Sequence, residues 1–463
     1  MRMRKKLALI AVVIFVCLVS ISFQSGKDGQ NTRRISNSDL HDMRFVTKNR
    51  YNQNGLEFRA DQILVKFKPS LPDIEIESII AAYQTDKIRR IPKLNIYQLK
   101  IPEGFSVQET VHAYSMNPDV EYAEPNYIAH ITDTPNDTLF RYQYALNNTG
   151  QSIGVPGSPT GRTSADIKAP PAWEESKGTS ETIIAIVDTG VQLLHPDLAD
   201  KIVSGGRDFV NNDFDAEDDH GHGTHIAGIA AAQTNNTEGM AGVAWNCLIL
   251  PVKVLEPAGD TATGLFSWII DGIRWAADNG AHVINLSLGG SGDSDGLREA
   301  IGYAVSQGVV CVASAGNEGG QVLYPAAYER CIAVAATNYN DERVTFENSA
   351  GGEWESNYGP EIDVAAPGER ILSCVPTWFF GPGSFPYGYG YGTSASAPHV
   401  AALAALIKDM KPWLSVDQIR KIIQYTADDV NSSSNPGYDE YLGFGRINME
   451  KALVPIKISS SSN

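Results

Sequence analysis

Sulfur and positive charge are both scarce in this sequence. Its 463 residues include five cysteines and seven methionines, and 37 Lys and Arg stand against 54 Asp and Glu, a net charge of -17. The cysteines lack the paired short spacings of a zinc site. The deficit of cationic side chains argues against nucleic acid as a partner, because phosphate binding needs basic patches. The remaining composition is that of a soluble globular protein, and the length suits two domains.

A long apolar run lies at the N-terminus. Basic residues from Arg2 to Lys6 precede apolar residues 7–23. A basic segment before an apolar run is typical of a secretion signal, so we expect residues 1–25 to be removed on export. The alternative is a retained membrane anchor, because the run is nearly long enough to span a bilayer. We favour export, and expect a secreted protein (extracellular or periplasmic) with no membrane association after processing.

The cysteines leave two structural possibilities open. Cys17 lies in the N-terminal run and is expected to leave with the signal. The number of the others permits two disulfides in an oxidising compartment, and four buried free thiols are an equally good interpretation. These four residues are Cys247, Cys311, Cys331 and Cys374.

Hydrophobic patterning divides the remaining chain. Residues 26–58 are polar and unpatterned, which predicts a flexible leader, and the serine-rich residues 456–463 predict a disordered tail. Within residues 59–130, alternating and helical spacings of apolar residues follow the order β-α-β, then β-α-β. This order predicts a small α+β domain of ferredoxin-like type, with an open sheet and helices on one face.

Residues 131–455 predict an α/β domain in three αβα layers. Near-continuous Val- and Ile-rich strands alternate with helices there, which indicates a mostly parallel sheet covered on both faces. In such folds chemistry lies at the carboxyl ends of the strands. The predicted strands are Thr182–Val187, Leu248–Val254, Val283–Ser287, Val309–Ala313 and Ile332–Ala336, and the predicted helices are Thr224–Ala232, Leu265–Asn279, Gly296–Ser306, Ser396–Met410 and Ser415–Tyr425.

Three segments carry residues suited to catalysis. Asp188 ends an apolar strand before a glycine turn, His222 stands between glycines at a helix entrance, and Ser394 follows a Gly-Thr turn before a long apolar helix. Each segment also has an alternative interpretation. The aspartate could cap the turn that follows it, the serine could cap the helix, and the histidines could bind a metal. Metal binding is disfavoured because the His-Glu-x-x-His pattern of zinc proteases is missing.

The combination of the three segments is more specific than any of them alone. A serine hydroxyl is a weak nucleophile at neutral pH and needs a base, which histidine supplies, while an aspartate fixes the histidine tautomer. The chain order Asp, His, Ser is one of the orders known for this geometry. We therefore predict that Asp188, His222 and Ser394 form a catalytic triad.

The motifs resemble those of the subtilisin family of serine peptidases, especially its thermitase-like branch. The matching motifs are Val187–Gly190, His222–Gly228 and Gly392–Ser394, and the similarity spans Thr134 to Leu453. The resemblance implies a subtilisin-like fold, with Asp188 as orienting residue, His222 as general base and acid, and Ser394 as nucleophile. One departure is Ala395, where the family usually has methionine, and this change should not abolish the chemistry.

The same resemblance extends to the oxyanion site and the substrate groove. It implies that Asn317, in the motif Ala313–Gly319, donates its side-chain amide to the oxyanion beside the Ser394 backbone N–H. It also implies that an extended peptide pairs between two segments and is read mainly by shape, with an apolar or aromatic residue before the cleaved bond. The two segments consist of Ser287, Leu288 and Gly289 on one side and Ala262, Thr263 and Gly264 on the other.

Structural calcium is the one cofactor that the sequence suggests. Oxygen-bearing residues at alternating spacing precede His222 and resemble the thermitase calcium loop, although a solvated acidic loop is the plainer interpretation. These residues are Asp208, Asn211, Asp213, Asp215 and Glu217. A second family site implies side-chain ligands from Asp137, Asp197 and Asn236, with backbone carbonyls from Gln233, Glu238 and Met240.

The small domain resembles the family's inhibitory propeptide. This resemblance implies a folding template that plugs the groove and is cut off between Ala129 and Asp133. We therefore predict a secreted, self-processing serine endopeptidase of broad specificity, monomeric, with protein or peptide substrates and its own propeptide as partners. The alternatives are a scaffold without turnover and a processing enzyme dedicated to one substrate. The aromatic segment 377–391, longer than usual for the family, could favour the dedicated enzyme by forming a rim on the leaving-group side, or it could simply pack on the domain.

Overall fold

The computed structural model describes residues 58–102, 104–127, 134–153, 159–259, 261–381 and 384–454. The predicted signal, most of the leader, the predicted cleavage region and the tail lie outside these residues. Among the described residues, no helix is both long and apolar enough to span a bilayer. The described residues fall into two compact units, one up to residue 127 and the other from residue 134.

The first unit is a four-stranded antiparallel sheet with two helices. Its strand order is β2-β3-β1-β4, and the order of elements along the chain confirms the predicted α+β architecture. Residues that alternate along β1 and β3 point into one apolar core, among them Ile63, Val65 and Leu99. The elements are β1 (Phe58–Phe67), α1 (Asp73–Ala82), β2 (Asp86–Ile91), β3 (Ile96–Lys100), α2 (Val107–Ser115) and β4 (Val120–Tyr127).

The second unit is built around one seven-stranded sheet. Its helices are α3 (Ala169–Glu175), α4 (His222–Ala231), α5 (Phe266–Asp278), α6 (Asp295–Ser306), α7 (Thr393–Met410), α8 (Val416–Thr426) and α9 (Met449–Leu453). Its strands are β5 (Ile183–Asp188), β6 (Arg207–Asp208), β7 (Leu248–Lys253), β8 (Glu256–Ala258), β9 (Thr261–Thr263), β10 (Val283–Leu286), β11 (Val310–Ser314), β12 (Ile332–Thr337), β13 (Ile362–Pro367), β14 (Ile371–Cys374) and β15 (Tyr387–Gly390).

The seven strands run in the order β13-β12-β11-β10-β5-β7-β6, and every neighbouring pair is parallel. Helices α5 and α6 cover one face of the sheet, and α4 and α7 cover the other. The strands carry apolar residues on both faces because both faces are buried. Helix α7 is buried along most of its length, from Thr393 to Ile407. The predicted three-layer αβα fold is confirmed.

Two short antiparallel hairpins extend beyond the sheet. One joins β8 to β9, and the other joins β14 to β15 across the aromatic segment. The four cysteines of this unit are buried free thiols, so the second of the two sequence-based possibilities holds. Burial raises the pKa of Cys247 and of Cys311 to about 12, which keeps both thiols protonated and unreactive.

Candidate active site

The predicted catalytic and groove residues lie at one edge of the parallel sheet. Asp188 is the last residue of β5, and Asn317 follows β11 closely. Ser287 follows β10 directly, and Ala262 lies in the hairpin that follows β7. Since β7, β5, β10 and β11 are consecutive parallel strands, their carboxyl ends meet at the same edge. The topology therefore brings Asp188 to the same edge as Asn317, which lies 129 positions further along the chain.

Asp188 and His222 are hydrogen bonded. The distance from His222 Nδ1 to Asp188 Oδ1 is 2.6 Å, and both side chains are buried. The same carboxylate oxygen accepts the Thr189 N–H at 2.8 Å. Because the carboxylate accepts, Nδ1 carries the proton, and Nε2 is the nitrogen with which the ring exchanges protons.

The N-terminus of α4 sets the position of His222. Helix α4 begins at His222 itself, two residues before the predicted start. The small residues that follow let α4 approach β5 closely: a Cβ on Gly223 would lie 2.0 Å from the carbonyl oxygen of Gly190. Gly223 N–H donates to Thr189 Oγ1 at 2.9 Å, which ties the helix to the residue after Asp188.

Asp218 holds this helix start, a role that the sequence analysis missed. Its Oδ1 accepts the N–H of Gly221 at 2.8 Å and the hydroxyl of Thr189 at 2.9 Å. Its Oδ2 accepts the N–H and the hydroxyl of Thr224 at 2.9 and 2.6 Å. One buried carboxylate therefore links the end of β5 to the helix that carries His222. An acidic residue just before a helix start is a capping signal and could have indicated this role.

Lys253, at the end of β7, lies beside the end of β5, and the sequence did not indicate its role. This buried lysine is the strand partner of Asp188, and its ammonium donates to the Thr189 carbonyl at 2.8 Å. It also pairs with Asp219 at 2.5 Å, whose carboxylate is half exposed. The sequence around Lys253 does not indicate that its partner is Asp219, 34 residues earlier.

Ser394 lies in the first turn of α7, which begins at Thr393, three residues before the predicted start. No side chain caps this helix, and its N-cap Gly392 has a φ of 119°, a conformation that suits glycine. Backbone N–H groups at such a helix start are not used inside the helix. The hydroxyl of Ser287 donates to the Ser394 carbonyl at 2.7 Å, which joins α7 to the end of β10.

Asn317 faces the same point as Ser394. A Cβ built on Gly392 would lie 3.1 Å from Ser394 Oγ and 3.1 Å from Asn317 Nδ2. Asn317 Oδ1 accepts the Thr393 N–H at 2.8 Å, and this bond turns the amide Nδ2 toward the serine. A donor amide, a serine hydroxyl and a helix N-terminus therefore converge on one spot.

The two predicted groove segments lie on either side of Asp188. Ser287, Leu288 and Gly289 form a buried stretch after β10. Ala262 and Thr263 lie in β9 of the short hairpin after β7, and Gly264 follows directly. The Ser287 side chain is engaged with Ser394 and Asn285, so only backbone groups of this stretch could pair with a peptide.

The histidines do not form a metal centre. His222 bonds Asp188, whereas His225 lies one helical turn further on and its Nε2 is 3.2 Å from the Ile371 carbonyl. Burial and the neighbouring His222 lower the pKa of His225 to about 3, so its ring is neutral. Across the described part of the chain, no three His, Cys, Asp or Glu side chains lie close enough to hold a metal.

The residues of one candidate calcium set converge on the loop 233–240. Asp137 accepts the Asn235 N–H at 2.8 Å, and Asp197 accepts the Asn236 side-chain amide at 2.7 Å and the Met240 N–H at 2.8 Å. Both carboxyl groups are buried, and burial raises the pKa of Asp197 to about 6. The structure thus brings Asp137, Asp197 and this loop together, and calcium binding by them stays a prediction.

The acidic loop before His222 is arranged differently. Asp208 Oδ1 accepts the N–H groups of Val210 and Asn211, and Asp213 Oδ1 accepts the N–H of Asp215. Glu217 Oε2 points away to the Leu193 N–H. These carboxylates satisfy the backbone of their own loop, and the calcium hypothesis for them stays a prediction.

An aspartate, a histidine and a serine at the carboxyl edge of a parallel α/β sheet are typical of serine hydrolases. The chain belongs to the subtilase family of serine peptidases: residues 179–445 match that family, peptidase S8. Residues 46–126 match the N-terminal prodomain of fervidolysin.

Relatives support the same assignment. The chain is 39% identical to a thermophilic serine proteinase of Bacillus sp. strain AK1, over 85% of this chain and 87% of the relative. It is 45% identical to thermitase of Thermoactinomyces vulgaris, over 62% of this chain and 93% of thermitase. A solved protease structure from Pseudoalteromonas arctica PAMC 21717 has a TM-score of 0.58 and 34% identity, and covers 69% of this chain and 99% of that one.

These findings confirm the predicted family and the predicted class of enzyme. The chain is a serine endopeptidase of the subtilisin type with an N-terminal prodomain.

Proposed function

We propose that the chain is an exported, self-processing endopeptidase in which Ser394 attacks the peptide carbonyl. The observation that carries the proposal is the 2.6 Å bond between His222 Nδ1 and Asp188 Oδ1 at the sheet edge. This bond fixes the tautomer in which Nε2 accepts the Ser394 proton as the Oγ–C bond forms. The Asp188 carboxylate stabilises the imidazolium that forms.

The developing oxyanion is stabilised by Asn317 Nδ2 and the Ser394 N–H. The fixed orientation of the Asn317 amide supports this role, because a donor held in place needs no reorganisation during the reaction. His222 then returns the proton to the leaving amine, the C–N bond breaks, and an acyl-enzyme remains. Water, deprotonated by the same histidine, hydrolyses the ester and regenerates Ser394.

Substrate would lie extended between the segments 287–289 and 262–264. Pairing through backbone groups reads the shape of the peptide more than its side chains, which supports broad specificity, with a preference for an apolar or aromatic residue before the cleaved bond. Asn285 and Ser394 occupy the Ser287 hydroxyl, so it is not available to select a polar side chain.

The prodomain is proposed to inhibit and to template the peptidase unit until the chain is cut between Ala129 and Asp133. The match of residues 46–126 to a subtilase prodomain supports this role. The basic and apolar N-terminal residues support export, and the expected mature enzyme is a monomer outside the cytoplasm.

Calcium would be structural in this proposal. Asp137, Asp197, Asn236 and the carbonyl groups of residues 233, 238 and 240 fit a Ca²⁺ ion, because two buried carboxylates there gain from a cation. The ion would hold the loop 233–240 and take no part in bond cleavage. The acidic loop 208–217 is proposed only as a weaker second site.

Intact mass of the exported full chain and of its Ser394→Ala variant tests the proposal. We expect the natural chain to split between residues 129 and 133 and the variant to stay whole. If both stay whole while folded, the chain is a scaffold without turnover. If both split, another protease performs the cut, and labelling by a serine-directed covalent probe, with Ser394→Ala as the blank, then decides whether Ser394 is active.

A further inference from the structure

Lys253, the last residue of β7, has a buried ammonium group that contacts three separate segments. Its Nζ donates to the Thr189 carbonyl at 2.8 Å, to the Leu255 carbonyl at 3.2 Å and to Asp219 Oδ1 at 2.5 Å. An ammonium carries three N–H groups, so these acceptors use its full hydrogen-bonding capacity. The Lys253 side chain is 2% exposed, whereas that of Asp219 is 52% exposed. One cation therefore joins the residue after β5, the chain just after β7 and the segment before α4.

The backbone that follows Lys253 holds Asp188 in place. The Asp188 carbonyl accepts the Val254 N–H at 2.8 Å and the Leu255 N–H at 3.2 Å. Lys253 is the register partner of Asp188 in the sheet, and its ammonium binds the carbonyl of the next residue, Thr189. The Thr189 N–H in turn donates to the Asp188 carboxylate at 2.8 Å. The end of β7 thus fixes both the backbone and the side chain of the residue that orients the catalytic histidine.

Four carboxylates lie in the segments that meet at this corner of the sheet. They are Asp188 at the end of β5, Asp208 on β6, and Asp218 and Asp219 just before α4. Anionic neighbours favour the protonated form of a histidine, and a nearby ammonium favours its neutral form. Lys253 is buried between β5 and β6, each of which brings one of these carboxylates, and Asp219 is its ion-pair partner. Its charge therefore favours neutral His222, the form that accepts the proton of the nucleophile.

The other histidines around His222 do not supply such a charge. Burial lowers the pKa of His225 on α4 to about 3 and that of His399 on α7 to about 4. Burial, and then the neighbouring His222, lower the pKa of His220 from its usual value of 6.5. Above pH 6.5 these three rings are therefore mainly neutral.

We propose that Lys253 is a positioning residue for the Asp188–His222 pair, and that its charge offsets the carboxylates around that pair. The inference rests on the proposed role of His222 as general base. The three hydrogen bonds of the ammonium all go to this chain, so Lys253 acts on the reaction through other residues. Its loss would release the Thr189 carbonyl and leave Asp219 without its cation. The first effect disturbs the orientation of His222, and the second makes the ring bind a proton at higher pH.

Three variants separate the charge of Lys253 from its hydrogen bonds. Lys253→Met keeps a long side chain and removes both. Asp219→Asn removes the opposite charge and keeps the two bonds from the ammonium to carbonyl groups. The double variant Lys253→Met/Asp219→Asn removes both charges. The pH profile of kcat/KM for a soluble peptide anilide, at low ionic strength and per site labelled by a serine-directed covalent probe, reports the ionisation of His222 in the free enzyme.

The acidic limb of this profile should move in opposite directions in the two single variants. We expect it about 0.5 pH unit higher in Lys253→Met, because an unpaired anion is left near the histidine. In Asp219→Asn we expect it about 0.3 pH unit lower, a smaller shift because the charge of a half-exposed carboxylate is partly screened. In the double variant the limb should return to within about 0.2 pH unit of the natural enzyme, while kcat stays at least about five-fold lower at nearly unchanged KM.

Lys201→Met is the matched control. Lys201 is also a buried lysine, and its ammonium donates to the Trp245 carbonyl at 2.9 Å. Burial lowers its pKa to about 8, so it is charged throughout the acidic limb. The neighbouring Ala244 N–H is bonded to Ala230, at the end of α4 that lies away from His222. This variant should lose stability and keep both the acidic limb and kcat.

The outcomes separate the inference from the proposed function. If Lys253→Met loses stability but keeps the natural profile and kcat, or if the limb of the double variant stays as high as that of Lys253→Met, the inference is overturned. If Lys253→Met does not fold, Asp219→Asn decides, because an unmoved limb there also overturns the inference. In each of these cases an active natural enzyme leaves the proposed function intact. A natural enzyme that hydrolyses no peptide overturns the proposed function, and the inference with it.

Discussion

A single buried carboxylate, that of Asp218, holds the start of the helix that carries His222 without touching the histidine itself. Its two carboxylate oxygens accept hydrogen bonds from Thr189, which follows β5, and from residues at the start of α4, at donor–acceptor distances of 2.6 to 3.0 Å. The geometry makes Asp218 a positioning residue rather than a member of the triad.

Asp218→Asn should therefore lower both stability and turnover. The new amide NH₂ would face the donors of Thr224, and leaving two buried donors unpaired costs about 2–4 kcal/mol. We expect kcat to fall at least ten-fold with KM nearly unchanged, because His222 loses its orientation, and the acidic limb of the pH–rate profile to move. Steady-state kinetics between pH 5 and 9 would measure both effects.

Asp215→Asn is the matched control for this change. Asp215 is exposed, and its carboxylate accepts a long hydrogen bond of 3.3 Å from the Glu217 N–H. Its kinetics should equal those of the natural enzyme. A pH profile of Asp218→Asn that keeps its shape while stability falls would contradict the positioning role and leave Asp218 a purely structural residue.

His225 predicts how stability depends on pH. In the folded state, burial lowers the pKa of His225 to about 3, and the nearby rings of His222 and His399 contribute to this shift. In the unfolded chain the pKa returns to about 6.5. The unfolded state then binds the extra proton, so this contribution is complete above pH 6.5 and is lost as the pH falls toward 3. From pH 6.5 to 5 the loss is about 2 kcal/mol.

The variant His225→Gln isolates this contribution. Urea unfolding of the full chain, in the Ser394→Ala background to prevent self-cleavage, can be followed by tryptophan fluorescence. All seven tryptophans lie in the peptidase unit, so the signal reports on that unit alone. The free energy of unfolding should vary less steeply below pH 6.5 in the variant, by about 1.4 kcal/mol per pH unit. Equal slopes in both proteins would refute the assignment.

At the scale of elements, the contact between α4 and β5 decides whether the site forms. Gly223 lies in the first turn of α4, with its Cα against the backbone of Gly190. Gly223→Ala would bring a methyl group to 2.0 Å from a carbonyl oxygen, and neither backbone can move without displacing Asp188 or His222. We expect a loss of at least about 3 kcal/mol in stability and loss of activity.

Gly302→Ala also places alanine in a helix, but at a position where a new methyl group has room. Gly302 lies inside α6, and the nearest atom to a new Cβ is Arg330 Nη1 at 3.9 Å. Replacement there should stabilise the peptidase unit by about 0.5–1 kcal/mol, because alanine favours helix and the site is open. Thermal unfolding of the two variants should shift in opposite directions, and a tolerated Gly223→Ala would mean that α4 can move away from β5.

The helices and strands also show what sequence patterning can predict. The long helices and the Val- and Ile-rich strands were found within one to three residues because their apolar periodicity is strong. The strand Ile362–Pro367 was missed, since the preceding residues are polar and Pro367 suggests a loop, and the seven-strand count became clear only in the structure. Starts of α4 and α7 were placed too late because glycine, serine and histidine are weak helix formers there.

At the scale of the whole molecule, the family and its two-unit plan followed from short motifs and from patterning. The triad candidates were recognisable because each sits at a strand end or helix start, where the residue type is unusual. Asp218 and Lys253 were not, because their partners are set by the packing of β5 against α4 and β7, which no local pattern records.

Calcium should stabilise the peptidase unit through Asp197. For the full chain in the Ser394→Ala background, Ca²⁺ at 100 times its Kd adds about 2.7 kcal/mol, and we expect the melting temperature of the tryptophan signal to rise by roughly 5 °C over the chelator-treated protein. Asp197→Asn removes a buried ligand charge and should abolish the rise. Asp213→Asn changes the other proposed ligand set, in the acidic loop, and should leave most of the Ca²⁺-dependent rise in melting temperature. If the melting temperature fails to rise with Ca²⁺ in Asp213→Asn alone, the stabilising ion binds in the loop before His222. If Ca²⁺ raises the melting temperature of none of these proteins, calcium does not stabilise the peptidase unit.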